Sequence, residues 1–164
     1  MKTLNATKKG LVTGLLMIAV MLILFYALKL QPNSNSQYII FAIFTIGIVW
    51  STLAFDKTTV PQTKLKEYFS NGFKTFVVVT LLMVVYTFVF YKLNPGIRDA
   101  QIALNSQMLQ EQKTHTQQEI DANAAQMKSI FMPMMLGIIT FIYLLLGSII
   151  TLLSSVIIKQ LKKT

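Results

Sequence analysis

Four long stretches of this chain carry almost no charge, and that constrains its fold more than any other feature. Residues 11–28 read LVTGLLMIAVMLILFYAL, and residues 38–55 read YIIFAIFTIGIVWSTLAF. Residues 73–93 are interrupted only by Lys74 and Lys92 near their ends, and residues 130–158 contain no charged side chain. Each stretch reaches the roughly 18 residues that a helix needs to cross bilayer hydrocarbon. No water is at hand there to pair backbone N–H and C=O groups, so each segment must pair its own, as an α-helix does. Four such runs in 164 residues leave little chain for a soluble core. The expectation is an all-α integral membrane bundle of four transmembrane helices. It forms a single membrane domain over residues 1–164, with spans at about 11–29, 38–55, 73–93 and 133–158.

The first run follows Lys2, Lys8 and Lys9, as the apolar core of a signal peptide would. It is longer than such a core and no A-x-A-like site follows it, so it is expected to remain as a helix. The fourth run exceeds a bilayer's thickness. Pro133 lies near its start, where a missing N–H costs least, and the embedded part is expected to begin there.

Connections follow from the breaks. KLQPNSNSQ at 29–37, with Pro32, predicts a tight reversal. A longer loop, 56–72, precedes the third span. Within and beyond it Leu65, Phe69, Phe73 and Phe76 share one helical face, accompanied by Lys64, Lys66 and Lys74. That pattern fits a short interfacial helix, and equally the beginning of the third span itself.

Residues 94–129 are the one large polar segment. It opens on a break, Asn94-Pro95-Gly96. Ile97, Leu104 and Met108 then share a helical stripe, as do Ile120, Ala124, Met127 and Phe131. QEQKTHTQQ between them is polar on every side. Two amphipathic helices, one long bent helix and a flexible polar loop all fit this pattern. If helical, the segment offers Ile97, Leu104, Met108, Ile120, Met127 and Phe131 as a surface for a partner or for lipid.

The net charge of +9 is explained by its placement. Ten basic residues flank one set of span ends: Lys2, Lys8 and Lys9; Lys57, Lys64, Lys66 and Lys74; Lys159, Lys162 and Lys163. Five flank the other set: Lys29, Lys92, Arg98, Lys113 and Lys128. Basic residues stay in the cytoplasm, which predicts cytoplasmic termini and an extracytoplasmic 94–129. The charge then marks topology and contact with anionic lipid, and no basic soluble domain exists to bind nucleic acid.

Chemical groups are sparse. No ionisable residue sits at mid-depth in a span, which argues against a proton-coupled transporter. Thr80, Tyr86, Thr140 and Tyr143 carry neutral hydroxyls of the kind that bond to a backbone carbonyl or a neighbouring helix. Gly10 and Gly14 form a GxxxG pair. Gly147, Thr151 and Ser155 mark a close-packing face of the fourth helix, suited to packing within the chain or to a dimer. Trp50, Tyr26, Tyr38 and Tyr91 fit interfacial aromatic belts. His115 stands alone in the polar segment, without a second histidine or a nucleophile. Arg98 and Asp99 beside a helix start read as capping and solvation. Asn5-Ala6-Thr7 matches a glycosylation sequon, on the side expected to be cytoplasmic. No catalytic, cofactor or metal site is expected, and 13% charged residues leave few groups to build one.

Three features together resemble a known family. They are the basic start running into KKGLVTGLL, the segment YFSNGFKTFVVVT at 68–80, and a Gln-rich stretch leading into MKSIFMPMMLGIITFIYLLLGSIITLLSSVIIKQLKK at 127–163. The combination resembles the small four-helix inner-membrane proteins of Bacteroidota grouped as domain-of-unknown-function family 4199. Fewer acidic residues occupy the outer segment here than in that family. The resemblance implies no activity and no catalytic residues. Members are often encoded near membrane glycosyltransferases, which suggests a partner of that kind. The function expected is a non-enzymatic accessory or scaffolding subunit of a bacterial inner-membrane envelope complex. The alternative is a small oligomeric lipid- or solute-translocating protein. Expected partners are membrane lipids and either another inner-membrane protein or further copies of the chain.

Overall fold

Every element found in the computed structural model, which describes residues 5–29, 37–60 and 63–161, is helical. The reversal with Pro32, the prolyl position 61 and the terminal lysines Lys2, Lys162 and Lys163 lie outside the described residues. Helix α1 spans Ala6–Leu22 and runs into one π-helical turn, Ile23–Ala27. Helix α2 spans Gln37–Asp56, α3 Leu65–Leu93, α4 Pro95–Gln112 and α5 Gln117–Leu161. Four stretches are long and apolar enough to cross a membrane: Ala6–Ala27, Gln37–Asp56, Leu65–Leu93 and Gln117–Leu161.

Burial is inverted relative to a water-soluble bundle. Leu15, Ile46, Leu81, Phe141 and Leu153 are all more than half exposed. Thr13, Ser51, Thr52, Thr75, Thr80, Thr151 and Ser155 are buried. A lipid solvent produces this arrangement, because apolar side chains gain nothing by leaving it and small residues let helices approach. The chain is a multi-pass membrane protein.

The chain forms two compact units, where length alone pointed to a single domain. The first comprises Met1–Met83 and Thr140–Thr164, and the second Val84–Ile139. In the first unit, glycines set the helix crossings. A Cβ on Gly10 would lie 2.5 Å from the Thr75 carbonyl oxygen, and one on Gly14 would lie 2.6 Å from Leu82 Cδ1, so α1 and α3 run side by side in the same direction. Gly47 of α2 receives the Thr13 side chain of α1. On α5, Gly147 faces Phe76, with a Cβ there falling 2.6 Å from Phe76 Cγ, while Gly72 of α3 faces Thr151. The two pairs sit one helical turn apart in opposite order, which fixes α3 and α5 as antiparallel neighbours.

Two local expectations are settled in this unit. Leu65 to Phe76 is the beginning of α3 and not a separate interfacial helix, because the helix continues unbroken to Leu93. Phe76 is fully buried beneath Gly147, and only Phe73 of that face remains well exposed. Pro133, where the embedded part of the fourth span is expected to begin, lies inside α5, which starts sixteen residues earlier at Gln117. At 1.5 Å per residue, the 45 residues of α5 are about 68 Å long, against about 30 Å of hydrocarbon.

The second unit contains the segment between the last two spans. Asn94 interrupts the helix, and its amide nitrogen caps the Phe90 carbonyl at 2.9 Å. Pro95 then opens α4, a position where its missing N–H is harmless. Lys113 ends α4 in the left-handed conformation, φ 53°. Thr116 caps α5: its hydroxyl accepts from the Glu119 N–H at 3.3 Å, and its own N–H donates to Glu119 Oε2 at 2.8 Å. This reciprocal box defines the second helix. Thus 94–129 is α4 followed by the first turns of α5, the two-helix form among the alternatives the sequence allows.

Candidate functional site

At one end of the first unit, α1 begins, α2 ends and α3 begins. Asn5 caps α1 by accepting from the Lys8 N–H at 2.9 Å, a local role for the asparagine of the apparent sequon. With Gly10 seated on Thr75, the first turn of α1 lies against α3. A polar knot joins the three helices. Asn71 Nδ2 donates to the Ser51 carbonyl at 3.1 Å and to Ser51 Oγ at 3.2 Å. Ser51 Oγ and Thr75 Oγ1 are 2.6 Å apart. Thr75 has one proton, with the Asn71 carbonyl at 3.1 Å and the Ala6 carbonyl at 3.3 Å. Ser51 therefore donates to Thr75, which passes its own proton to a backbone oxygen. Close by, Tyr68 donates to Asp56 Oδ1 at 2.5 Å and packs edge-on against Phe55, clamping the end of α2 to the start of α3.

Beside this knot opens a cavity of about 780 Å³. Positions 67, 70, 71 and 74 line it from one face of α3 at helical spacing, and α1 contributes Asn5, Ala6, Thr7 and Lys9. Ala54, Phe55 and Thr58 close it from the α2 side. Among the described residues its charges are Lys9, Lys66 and Lys74 against Glu67. Lys9 is 4% exposed, rare for a lysine without an anionic partner. Its Nζ lies 6.0 Å from the centre of the Trp50 ring.

In the second unit, α4 and the start of α5 pack as a hairpin. Asn105 Nδ2 donates to Asn123 Oδ1 at 3.2 Å and contacts Met127 Sδ. Tyr91 packs edge-on against Phe131 with ring centres 5.1 Å apart, and Gln101 Nε2 donates to its hydroxyl at 3.2 Å. Tyr91 is thus an interior residue and not part of a belt. The six positions read as one partner surface are divided. Ile120 and Phe131 are buried, at 3% and 2% exposed. Ile97 and Met127 are half-buried, and Leu104 and Met108 stay exposed. Ile102, which the sequence reading passed over, is the buried α4 residue.

Other candidates occupy simpler places. Gly147, Thr151 and Ser155 are buried on α5, the first two against Phe76 and Gly72, so this face packs within the chain. Arg98 and Asp99 form an adjacent ion pair at 2.9 Å on the surface. His115 Nδ1 lies 4.0 Å from Glu119 Oε2, both exposed. The Thr116 backbone N–H holds the Glu119 carboxyl below its ordinary range, with help from the Thr116 hydroxyl and from His115. The Thr80 hydroxyl donates to the Phe76 carbonyl of its own helix at 2.8 Å. Tyr143 is buried against Phe44 and Phe41. Trp50, Tyr26 and Tyr38 are exposed. Among the described residues no three His, Asp or Glu side chains come together as metal ligands.

A family model described as "protein of unknown function (DUF4199)" matches residues 8–160. No curated protein and no solved structure matches the chain.

Proposed function

The chain belongs to the DUF4199 family, and from that premise we propose that it is a non-enzymatic accessory or scaffolding subunit of a bacterial inner-membrane envelope complex. The observation that carries this reading is the α4–α5 hairpin. It is held internally by Ile102, Ile120, Phe131 and the Asn105–Asn123 bond, yet its outer surface still carries Leu104 and Met108. A self-packed element with leftover apolar side chains suits docking to a protein partner. A membrane glycosyltransferase fits the resemblance. The termini lie in the cytoplasm and 94–129 lies outside the inner membrane. The support for that orientation is the ten-to-five division of basic residues between the two sets of span ends.

Purification in mild detergent tests the reading. The expected outcome is one stoichiometric partner, lost when Leu104 and Met108 are both replaced by Glu while the chain still folds. A chain that purifies alone overturns it, as does a partner retained undiminished by the double variant.

A further inference from the structure

The cavity beside the first turn of α1 has a composition that the scaffolding role does not use. Among the described residues three lysines border it, with Glu67 as the one carboxylate. None of the four takes part in an ion pair among the described residues, although Glu67 lies on the same lining as Lys66 and Lys74. Lys66 and Lys74 are exposed and at home in water. Lys9 is not. Its residue is 4% exposed, and it lines the cavity. Topology alone requires lysines near span ends but does not require one to be enclosed. Burying an ammonium costs free energy that an anion in the cavity offsets. The volume of about 780 Å³ is far larger than an ion needs and lies within the range of organic-ligand sites. Hydroxyls of Thr7 and Ser70 and the Asn5 amide stand on the same lining as neutral hydrogen-bonding groups.

We infer that this cavity is a binding site for a phosphate-bearing ligand, with Lys9 as its inner cation and Lys66 and Lys74 at its rim. Phosphate fits because it brings one or two negative charges and several strong acceptor oxygens to a site of cations and hydroxyls. The site lies where three spans begin or end, the level at which phospholipid headgroups stand. A lipid phosphodiester and a free phosphate compound share the recognised group, and the test separates them.

The chain has a single tryptophan, Trp50, beside Lys9, so its fluorescence reports on this corner directly. The full chain in zwitterionic detergent is titrated with a short-chain phosphatidylglycerol and, separately, with inorganic phosphate. The expected result is a saturable change in Trp50 emission with at least one of the two probes. Lys9→Gln weakens the apparent affinity about tenfold, Lys9→Arg largely restores it, and Lys66→Gln with Lys74→Gln weakens it less. Lys57→Gln with Lys64→Gln, outside the lining, leaves it unchanged. Saturation by the lipid alone assigns a headgroup, and saturation by phosphate or by both assigns the phosphate group itself. No saturation with either probe overturns the inference. So does equal weakening by the Lys57/Lys64 pair, which reduces the effect to general surface charge. Helical circular dichroism of each variant separates loss of binding from loss of fold.

Discussion

The helix crossings of the first unit and the hairpin of the second solve the packing problem in opposite ways. In the first, helices meet through glycines and hydroxyls: Gly47 against Thr13, Gly147 against Phe76, Gly72 against Thr151. Large apolar residues such as Leu15 and Phe141 face outward. In the hairpin, Ile102, Ile120 and Phe131 are inside, and the outer surface is mostly Gln, Asn and charge. The difference teaches that each part is built for its own solvent. Where lipid is the solvent, burying a leucine gains nothing and close approach is what stabilises. Where water is the solvent, the apolar stripe goes inside and polar side chains cover it.

That contrast can be broken in order of effect. Gly147→Leu should be the most damaging change, because its side chain would enter the space of Phe76. A loss of about 3 kcal/mol or more is expected, read as a collapse of thermal stability in detergent. An unchanged unfolding temperature would show that the α3–α5 crossing does not hold the unit. Ile120→Ala should cost about 2–4 kcal/mol, from a cavity in the hairpin. Hydrogen exchange measures where the loss falls: it should appear first in α4 and the start of α5. Thr116→Ala should cost about 1 kcal/mol and fray the first turn of α5 alone.

Acid should act at the same place. The folded Glu119 carboxyl is held below its ordinary value, so its contribution is present above the ordinary carboxylate range. It is lost as pH falls through the depressed folded value, when the Thr116 N–H loses a charged acceptor. Lower protection of the Thr116 amide in acid, relative to its intrinsic exchange rate at the same pH, is the expected sign. Glu119→Gln should remove most of that pH dependence. The smallest effect should come from Leu104→Ala, within about 0.5 kcal/mol for the isolated chain, because the side chain is already exposed. A large loss there would mean that Leu104 packs within the chain.

Much of this was legible beforehand, for identifiable reasons. Charge-free length alone marks the four spanning helices. Gly147 and Thr151 were readable because small residues one turn apart have few other uses in a membrane helix. The Thr116–Glu119 box was also written in the sequence as T-x-x-E, but the surrounding polar run drew attention from it. Of the six positions read as an outward apolar surface, Leu104 and Met108 are exposed, whereas Ile120 and Phe131 turned out to be inside. The inward face of α4 carries Ile102 and Asn105, because a hydrogen bond to Asn123 takes an inward position. Periodicity of apolar residues cannot foresee an amide used as a core contact. The cavity was illegible for another reason. It exists only when Lys9, Phe55 and Asn71, far apart in the chain, come to one helix end, and Lys9 by itself reads as one more flanking lysine.

The most direct test of the central claim places single cysteines in a chain that has none. Thr114, in the exposed turn between α4 and α5, and Lys57, exposed just after α2, should fall on opposite sides of the inner membrane. An impermeant maleimide is added to whole cells with a permeabilised outer membrane, and again after the inner membrane is opened. The expected result is labelling of Thr114→Cys in both conditions and of Lys57→Cys only in the second. Labelling of both in the first condition would contradict four crossings, and the exchanged pattern would contradict the orientation.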